Sequence, residues 1–202
     1  MPLWLAAHPL VVASKSASRR ALLEAAGVPV EIKPADIDER GIESSAALSG
    51  PGEVAALLAR EKAKAVAAAM PGRMVLGADQ TLALETRRFS KPKDRAAAAD
   101  QLRVLRGKTH ALHSAIAVAR DGAMLFEHVD VARLTMRAFS EEFLQGYLDT
   151  VGPAVTTSVG AYQLEGAGIQ LFERIDGDYR TILGLPLLPL LQWLRGQGAL
   201  AG

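Results

Sequence analysis

The 202-residue sequence contains no cysteine. Disulfides, thiol catalysis, iron–sulfur clusters and zinc ribbons are therefore excluded, and the lack of thiols accords with a cytoplasmic setting. Aromatic residues make up only 5% of the chain, too few to build the stacking platforms on which single-stranded nucleic acid lies. An excess of charge of either sign is also missing: 23 Lys and Arg face 22 Asp and Glu, for a formal net charge of +1. That balance removes the electrostatic case for a general nucleic-acid binder or a polybasic membrane anchor. It leaves room for a local basic pocket that takes a small anion. No apolar run is long enough to span a bilayer: residues 183–194 are interrupted by Pro186, Pro189 and Gln192 and fall short of the roughly 20 residues a span requires. Near the N-terminal end the basic residues follow the apolar stretch instead of preceding it, the wrong order for a secretory signal. The expectation is a cytoplasmic protein with neither a nucleic-acid nor a membrane partner.

What is present is the composition of a globular domain, with 50% hydrophobic and 22% charged residues. No linker, low-complexity tract or repeat divides the chain, so a single domain over residues 1–202, bilobal in form, is expected. Residues 10–13 and 30–33 read as short strands flanking a helix over 18–26, which Gly27 and Pro29 stop. Residues 35–39 read as an acidic loop. Pro51 and Gly52 open a long helix over 53–70. Residues 74–84 are strand-like despite the polar Asp79, Gln80 and Thr81. Asp94 caps a helix to about Leu105. Strands over 109–119 and 124–136 are joined by an Asp121-Gly122 turn. Ser140 caps a helix to about Leu148, residues 168–175 and 180–183 read as a hairpin around Asp176-Gly177, and a last helix begins near Pro186. Strands, helices and hairpins together predict an α/β fold with a mixed sheet.

Charges on apolar faces are the first functional signal. On the wheel of the long helix, Lys62 lies among Ala55, Leu58, Ala59, Ala65, Val66 and Ala69, the face that should pack on the core. It is either a lysine snorkelling at the edge of that face or one reaching across the core edge into a cleft. Arg19 shares a helix face with Leu22, Leu23 and Ala26, in the first turn, where free N–H groups and the helix dipole favour an anion. The preceding Ser14-Lys15-Ser16-Ala17-Ser18 loop adds hydroxyl and main-chain donors. The segment reads as a phosphate cradle or as an ordinary Ser-capped helix start; it is not a P-loop. Asp79 sits within an apolar strand, where a carboxylate is expensive unless paired or bound to metal. With Asp36, Asp38 or Glu39 it could hold Mg²⁺. Lys91-Pro92-Lys93 is a rigid basic turn. His110 and His113 point to opposite faces of a strand, which argues against a two-histidine metal site.

These segments together resemble the Maf family of nucleoside triphosphate pyrophosphatases. The resemblance runs from LVVASKSASRRALLEAAGV at 10–28 through ADIDE at 35–39, AREKA at 59–63, LGAD at 76–79, KPKD at 91–94 and GKTH at 107–110. It continues to GAYQLEGAG at 160–168, GDY at 177–179 and GLPL at 184–187. The resemblance implies an elongated, twisted mixed sheet flanked by helices, with two lobes and a central cleft, as in Ham1-like and inosine triphosphatase-like proteins. It implies a homodimer and hydrolysis of a nucleoside triphosphate to the monophosphate and pyrophosphate with a divalent cation, Mg²⁺ or Mn²⁺. By motif, Ser14 and Arg19 bind the substrate, Lys62 and Lys91 neutralise its phosphates, and Asp79 and Glu39 hold the metal or the attacking water; Ser18, also placed at the substrate, stands where the family's dTTP/UTP-hydrolysing branch usually has an arginine. Asp79 is the first candidate for general base.

The base is read from Gln80 and Glu165. Gln80 follows the aspartate where the family's dTTP/UTP-hydrolysing branch usually has Thr, and Glu165 stands where that branch has Gln. Both resemble the branch that hydrolyses 7-methyl-GTP. A carboxylate only accepts hydrogen bonds. The guanine edge offers two adjacent donors, whereas uracil and thymine offer one N–H between two carbonyls. The expectation is therefore a guanine-type substrate. The alternatives are a dTTP/UTP pyrophosphatase and, from a different class, a non-catalytic nucleotide-binding regulator of cell division.

Overall fold

Alternation along the strands decides which side of the sheet each residue serves. The computed structural model describes residues 2–46 and 50–202. In chain order the elements are β1 (Leu10–Val12), α1 (Ala17–Ala25), β2 (Val30–Ile32), α2 (Glu39–Ser45), α3 (Pro51–Ala68), β3 (Val75–Leu84) and β4 (Arg87–Phe89). They continue with α4 (Arg95–Leu105), β5 (Thr109–Arg120), β6 (Ala123–Met136), α5 (Glu141–Val151), short 3₁₀ turns, β7 (Phe172–Asp176), α6 (Tyr179–Ile182) and α7 (Leu187–Gly196). The sheet order is β2-β1-β3-β5-β6-β7, with β4 paired to β3. β1 runs parallel to β2 and β3, whereas β3–β4 and β6–β7 are antiparallel. The sheet is mixed, as the sequence predicts.

The chain divides into two compact units. The first comprises Met1–Gln80, Ser114–Asp130 and Asp178–Gly202. Here Leu10, Val12, Leu76, Ala78, Ile116 and Val118 form one sheet face and pack with Leu23 of α1 and Leu187, Leu190 and Leu194 of α7. A leucine as fully buried as Leu10, Leu23 or Leu76 contributes roughly 1.5–3 kcal/mol relative to exposure. The opposite face is built from smaller residues. Val11, Ala13, Val75, Ala115, Ala117 and Ala119 pack with Ala55, Ala59, Ala63, Val66 and Ala67 of α3. Small residues let the helix approach closely, and at Gly77 the approach is backbone to backbone. A Cβ there would stand 2.0 Å from the Ala59 carbonyl oxygen and 2.7 Å from the Ala63 nitrogen.

The second unit comprises Thr81–His113 and Val131–Gly177. It contains α4, with Leu102 and Leu105 buried, and α5, with Leu144, Tyr147 and Leu148 buried. His110 is 1% exposed. Its Nε2 lies 2.8 Å from the Tyr162 hydroxyl, and its ring forms a three-ring cluster with those of Tyr162 and Phe172, which themselves meet edge to face. Burial pushes His110 from 6.5 down to about 4. The unfolded chain thus takes up a proton near pH 6.5 that the folded chain refuses until about pH 4. Stability is therefore expected to be fully present above the first value and to fall across that window as the pH drops. Urea unfolding from pH 7 to 4 should show the decline, and the difference between wild type and His110→Gln should shrink toward the acid end. Parallel curves for the two proteins would remove His110 as the cause.

The sequence reading is corrected in a few places. Residues 180–183 are not the second strand of a hairpin: α6 is a one-turn helix capped by Asp178, whose carboxylate accepts from Arg180 N and Thr181 N. β7 pairs instead with β6. The acidic loop ends in a helix, since Asp38 caps α2 and Glu39 lies in its first turn. On α3, Ala65 and Ala69 are exposed, so the buried stripe is centred on Ala59, Ala63 and Val66, and Lys62 stands at its margin.

Candidate active site

The site grows from the close approach at Gly77. In β3 the residues that face α3 are Val75, Gly77 and Asp79. Ala59 and Ala63 pack against Gly77, and Lys62, on the same stretch of helix, comes over Asp79. Its Nζ lies 2.6 Å from Asp79 Oδ1. The same Nζ lies 2.9 Å from Glu39 Oε1, in the first turn of α2. The Lys62 and Asp79 side chains are each 12% exposed, that of Glu39 49%. One ammonium thus gathers a nearly buried and a half-exposed carboxylate. Between the two readings of Lys62, its side chain is committed to these carboxylates and is not merely snorkelling.

Ser14 and Arg19 complete the cluster. Ser14 follows β1 and is buried. Ser16 caps α1 and accepts from Arg19 N at 3.4 Å. Arg19 Nη1 donates to Ser14 Oγ at 3.0 Å, and its Nε donates to the Gly184 carbonyl at 2.8 Å. Burial lowers the pKa of Arg19, while the charges of Asp79 and Glu39 act in the opposite direction. Arg19 therefore shares the field of the Lys62 cluster. The first turn of α1 contains no acidic residue, so nothing on the helix offsets its positive end. Ser18 lies in the same turn, half-buried.

Gln80 points to the other face of β3. Its Nε2 donates to the carbonyls of Thr181, at 3.1 Å, and Ile182, at 3.0 Å, and approaches Ser114 Oγ at 2.8 Å. The remaining predicted residues belong to the second unit. Lys91 is an exposed residue after β4, followed by buried Pro92, and Glu165 is an exposed residue in the turn after Leu164. Sequence reasoning passed over Thr181 and Gly184. The signal available was Asp178 and Gly184 bracketing a single turn, a cap at each end.

Asp79 and Glu39 offer hard carboxylate oxygens that meet on one cation, Lys62. Among the described residues there is no group of three or more His, Cys, Asp or Glu side chains that could hold a metal ion. This donor set fits an ion of the Mg²⁺ type, which is commonly held by one or two carboxylates and completed by substrate oxygens and water. Among the described residues, no helix is long and apolar enough to cross a membrane.

Cations on α1 and α3 thus stand beside carboxylates on α2 and β3, on an α/β scaffold with a mixed sheet. The chain belongs to the Maf family: the family model described as Maf-like protein matches residues 9–197. It is 59% identical to a nucleoside triphosphate pyrophosphatase from Rhodopseudomonas palustris over 201 residues, covering 100% of both chains. It is 53% identical to a 7-methyl-GTP pyrophosphatase from Rhizobium etli over 195 residues, 96% of this chain and 98% of the relative. A solved structure of a nucleoside-triphosphatase, dITP/XTP pyrophosphatase, from Mycobacterium abscessus aligns over 95% of each chain with a TM-score of 0.43 and 18% identity.

Proposed function

We propose that this protein hydrolyses a nucleoside triphosphate to the nucleoside monophosphate and pyrophosphate. The observation that carries the reading is Lys62, nearly buried and shared by Asp79 and Glu39 beside an arginine at a helix N-terminus. The names of the full-length relatives support it. Ser14, Arg19 and the start of α1 hold phosphate oxygens. Lys62 offsets charge on the triphosphate, and Lys91 is assigned the same task by its motif. Water attacks the α-phosphorus, an oxygen–phosphorus bond forms, the α–β bridging bond breaks, and pyrophosphate leaves with the electron pair. Asp79 takes the proton of the attacking water. Arg19 and Lys62 are balanced by Asp79 and Glu39, so a triphosphate arriving alone meets a cluster without surplus positive charge. Asp79 and Glu39 would hold a divalent cation, which supplies that charge and Lewis acidity. Positioning and charge stabilisation provide most of the acceleration.

The substrate we favour is a guanine-type nucleotide such as 7-methyl-GTP. Glu165, a carboxylate, matches the two donors of the guanine edge, and the Rhizobium etli relative bears that name. The test is pyrophosphate release with Mg²⁺ from 7-methyl-GTP, GTP, UTP and dTTP. The expected order places 7-methyl-GTP first, and Glu165→Gln should lower its kcat/KM relative to UTP by about tenfold or more, as lost donor–acceptor matching does. An unchanged ratio means Glu165 does not read the base. Binding without turnover of any of the four favours the regulatory alternative.

A further inference from the structure

Helix α6 is a single turn, too short to hold its own shape, yet Thr181 within it is only 1% exposed. Side chains of the sheet hold it. Gln80 Nε2 reaches the Thr181 and Ile182 carbonyls. Ser114 on β5, fully buried, donates to the same Thr181 carbonyl at 2.7 Å. The Thr181 hydroxyl donates to Asp130 Oδ2 on β6 at 2.9 Å. The helix then closes with a Schellman pair: Gly184 N donates to the Thr181 carbonyl and Leu185 N to the Arg180 carbonyl, both at 3.0 Å. Gly184 adopts φ +88°, a conformation that side-chain-bearing residues rarely take. This fixes the direction of the Gly184 carbonyl, which accepts from Arg19 Nε at 2.8 Å. A Cβ on Gly184 would lie 3.2 Å from Arg19 Nη2.

We propose that Ser114 and Thr181 are positioning residues for Arg19, acting through α6 and the Gly184 carbonyl on phosphate binding and not on choice of base. The inference rests on the reading of Arg19 as a phosphate ligand. A guanidinium on a long, flexible side chain delivers its fork to a phosphate only if something anchors the near edge. Here the Gly184 carbonyl takes Nε and Ser14 takes Nη1. The Gly184 carbonyl stays in place because its helix terminus is bonded to β3 and β5.

The probe that separates phosphate from base is inorganic tripolyphosphate, titrated calorimetrically in the presence of Mg²⁺ into the 202-residue chain. Ser114→Ala and Thr181→Val should each weaken its binding about five- to tenfold, the scale of a buried hydrogen bond lost at one remove. Ser114→Thr, which keeps the hydroxyl, should recover most of that loss. In an Arg19→Ala background Ser114→Ala should weaken binding no further. KM for 7-methyl-GTP and for UTP should rise by the same factor, leaving their ranking intact. If Thr181→Val does not fold, the Ser114 variants decide. The proposal is overturned if Ser114→Ala binds tripolyphosphate as wild type does, or if its effect adds fully to that of Arg19→Ala. It is equally overturned if Thr181→Val changes the base ranking with tripolyphosphate affinity unmoved. If Arg19→Ala itself leaves tripolyphosphate affinity unchanged, the phosphate role of Arg19 falls first, and that result is distinct from the others.

Discussion

Replacing Asp79 by Asn is expected to lower pyrophosphate release by about a thousandfold, the scale of a lost general base acting together with a lost charge. The substitution preserves shape, so the loss reads as chemistry. Lys62 still has Glu39 at 2.9 Å, and the ammonium is not left alone. The reciprocal change is different. Lys62→Met leaves the Asp79 carboxylate, on a side chain 12% exposed, without the ammonium that faces it. Removing one member of a nearly buried ion pair is expected to destabilise by about 3 kcal/mol. The double variant Lys62→Met with Asp79→Leu removes both charges and should regain most of that stability, since an apolar replacement of such a pair is often neutral. Activity should not return with it. Urea unfolding alongside pyrophosphate release separates the two quantities. An Asp79→Asn protein within about threefold of wild-type activity would take Asp79 out of the base role. A double variant no more stable than Lys62→Met would mean the pair is needed by the fold itself.

The residues of this cluster differ in how plainly the sequence displays them. Lys62, Arg19 and Asp79 are charges on apolar faces, and burial of a charge is costly enough that each demands a partner. Glu39 carries no such mark. Beside Asp36 and Asp38 in one acidic loop it looks like any solvated carboxylate, and only its resemblance to a family motif singles it out. Within the fold the neighbours divide: Asp38 caps α2 by accepting from Gly41 N, and Glu39, one residue on, meets Lys62. Ser114 and Thr181 are harder still, because neutral side chains that donate one to a backbone carbonyl and the other to Asp130 break no charge pattern. Residues 180–183 read as a strand because Thr181 and Ile182 favour strands. The caps at Asp178 and Gly184 override that local preference. The sheet was more legible, since strands such as 109–119 and 124–136 are long and their Asp121-Gly122 turn is specific. β4, Arg87–Phe89, has two exposed arginines and a single buried residue, so it shows no apolar run of the kind that marks β1.

Gly77→Ala is expected to be the most damaging change of a single methyl in the first unit, by about 3 kcal/mol or more. The added carbon would stand 2.0 Å from the Ala59 carbonyl oxygen and 2.7 Å from the Ala63 nitrogen. Both are backbone atoms of α3, so no rotamer change relieves the clash. The helix must move off the sheet, and the small-residue face of Ala55, Ala59, Ala63 and Ala67 loses contact with β3. Lys62 travels with that helix, away from Asp79. Activity should therefore fall even at temperatures where the variant remains folded. Gly146→Ala serves as the contrast. Gly146 lies in α5, and a Cβ there meets nothing within 4 Å. In a helix interior that substitution should stabilise by about 0.5–1 kcal/mol, with no change in pyrophosphate release. Urea midpoints for the two variants should thus move in opposite directions. If Gly77→Ala matched wild type in both midpoint and activity, backbone contact between α3 and β3 would not be what brings Lys62 to Asp79, and the ion pair itself would have to draw the two elements together.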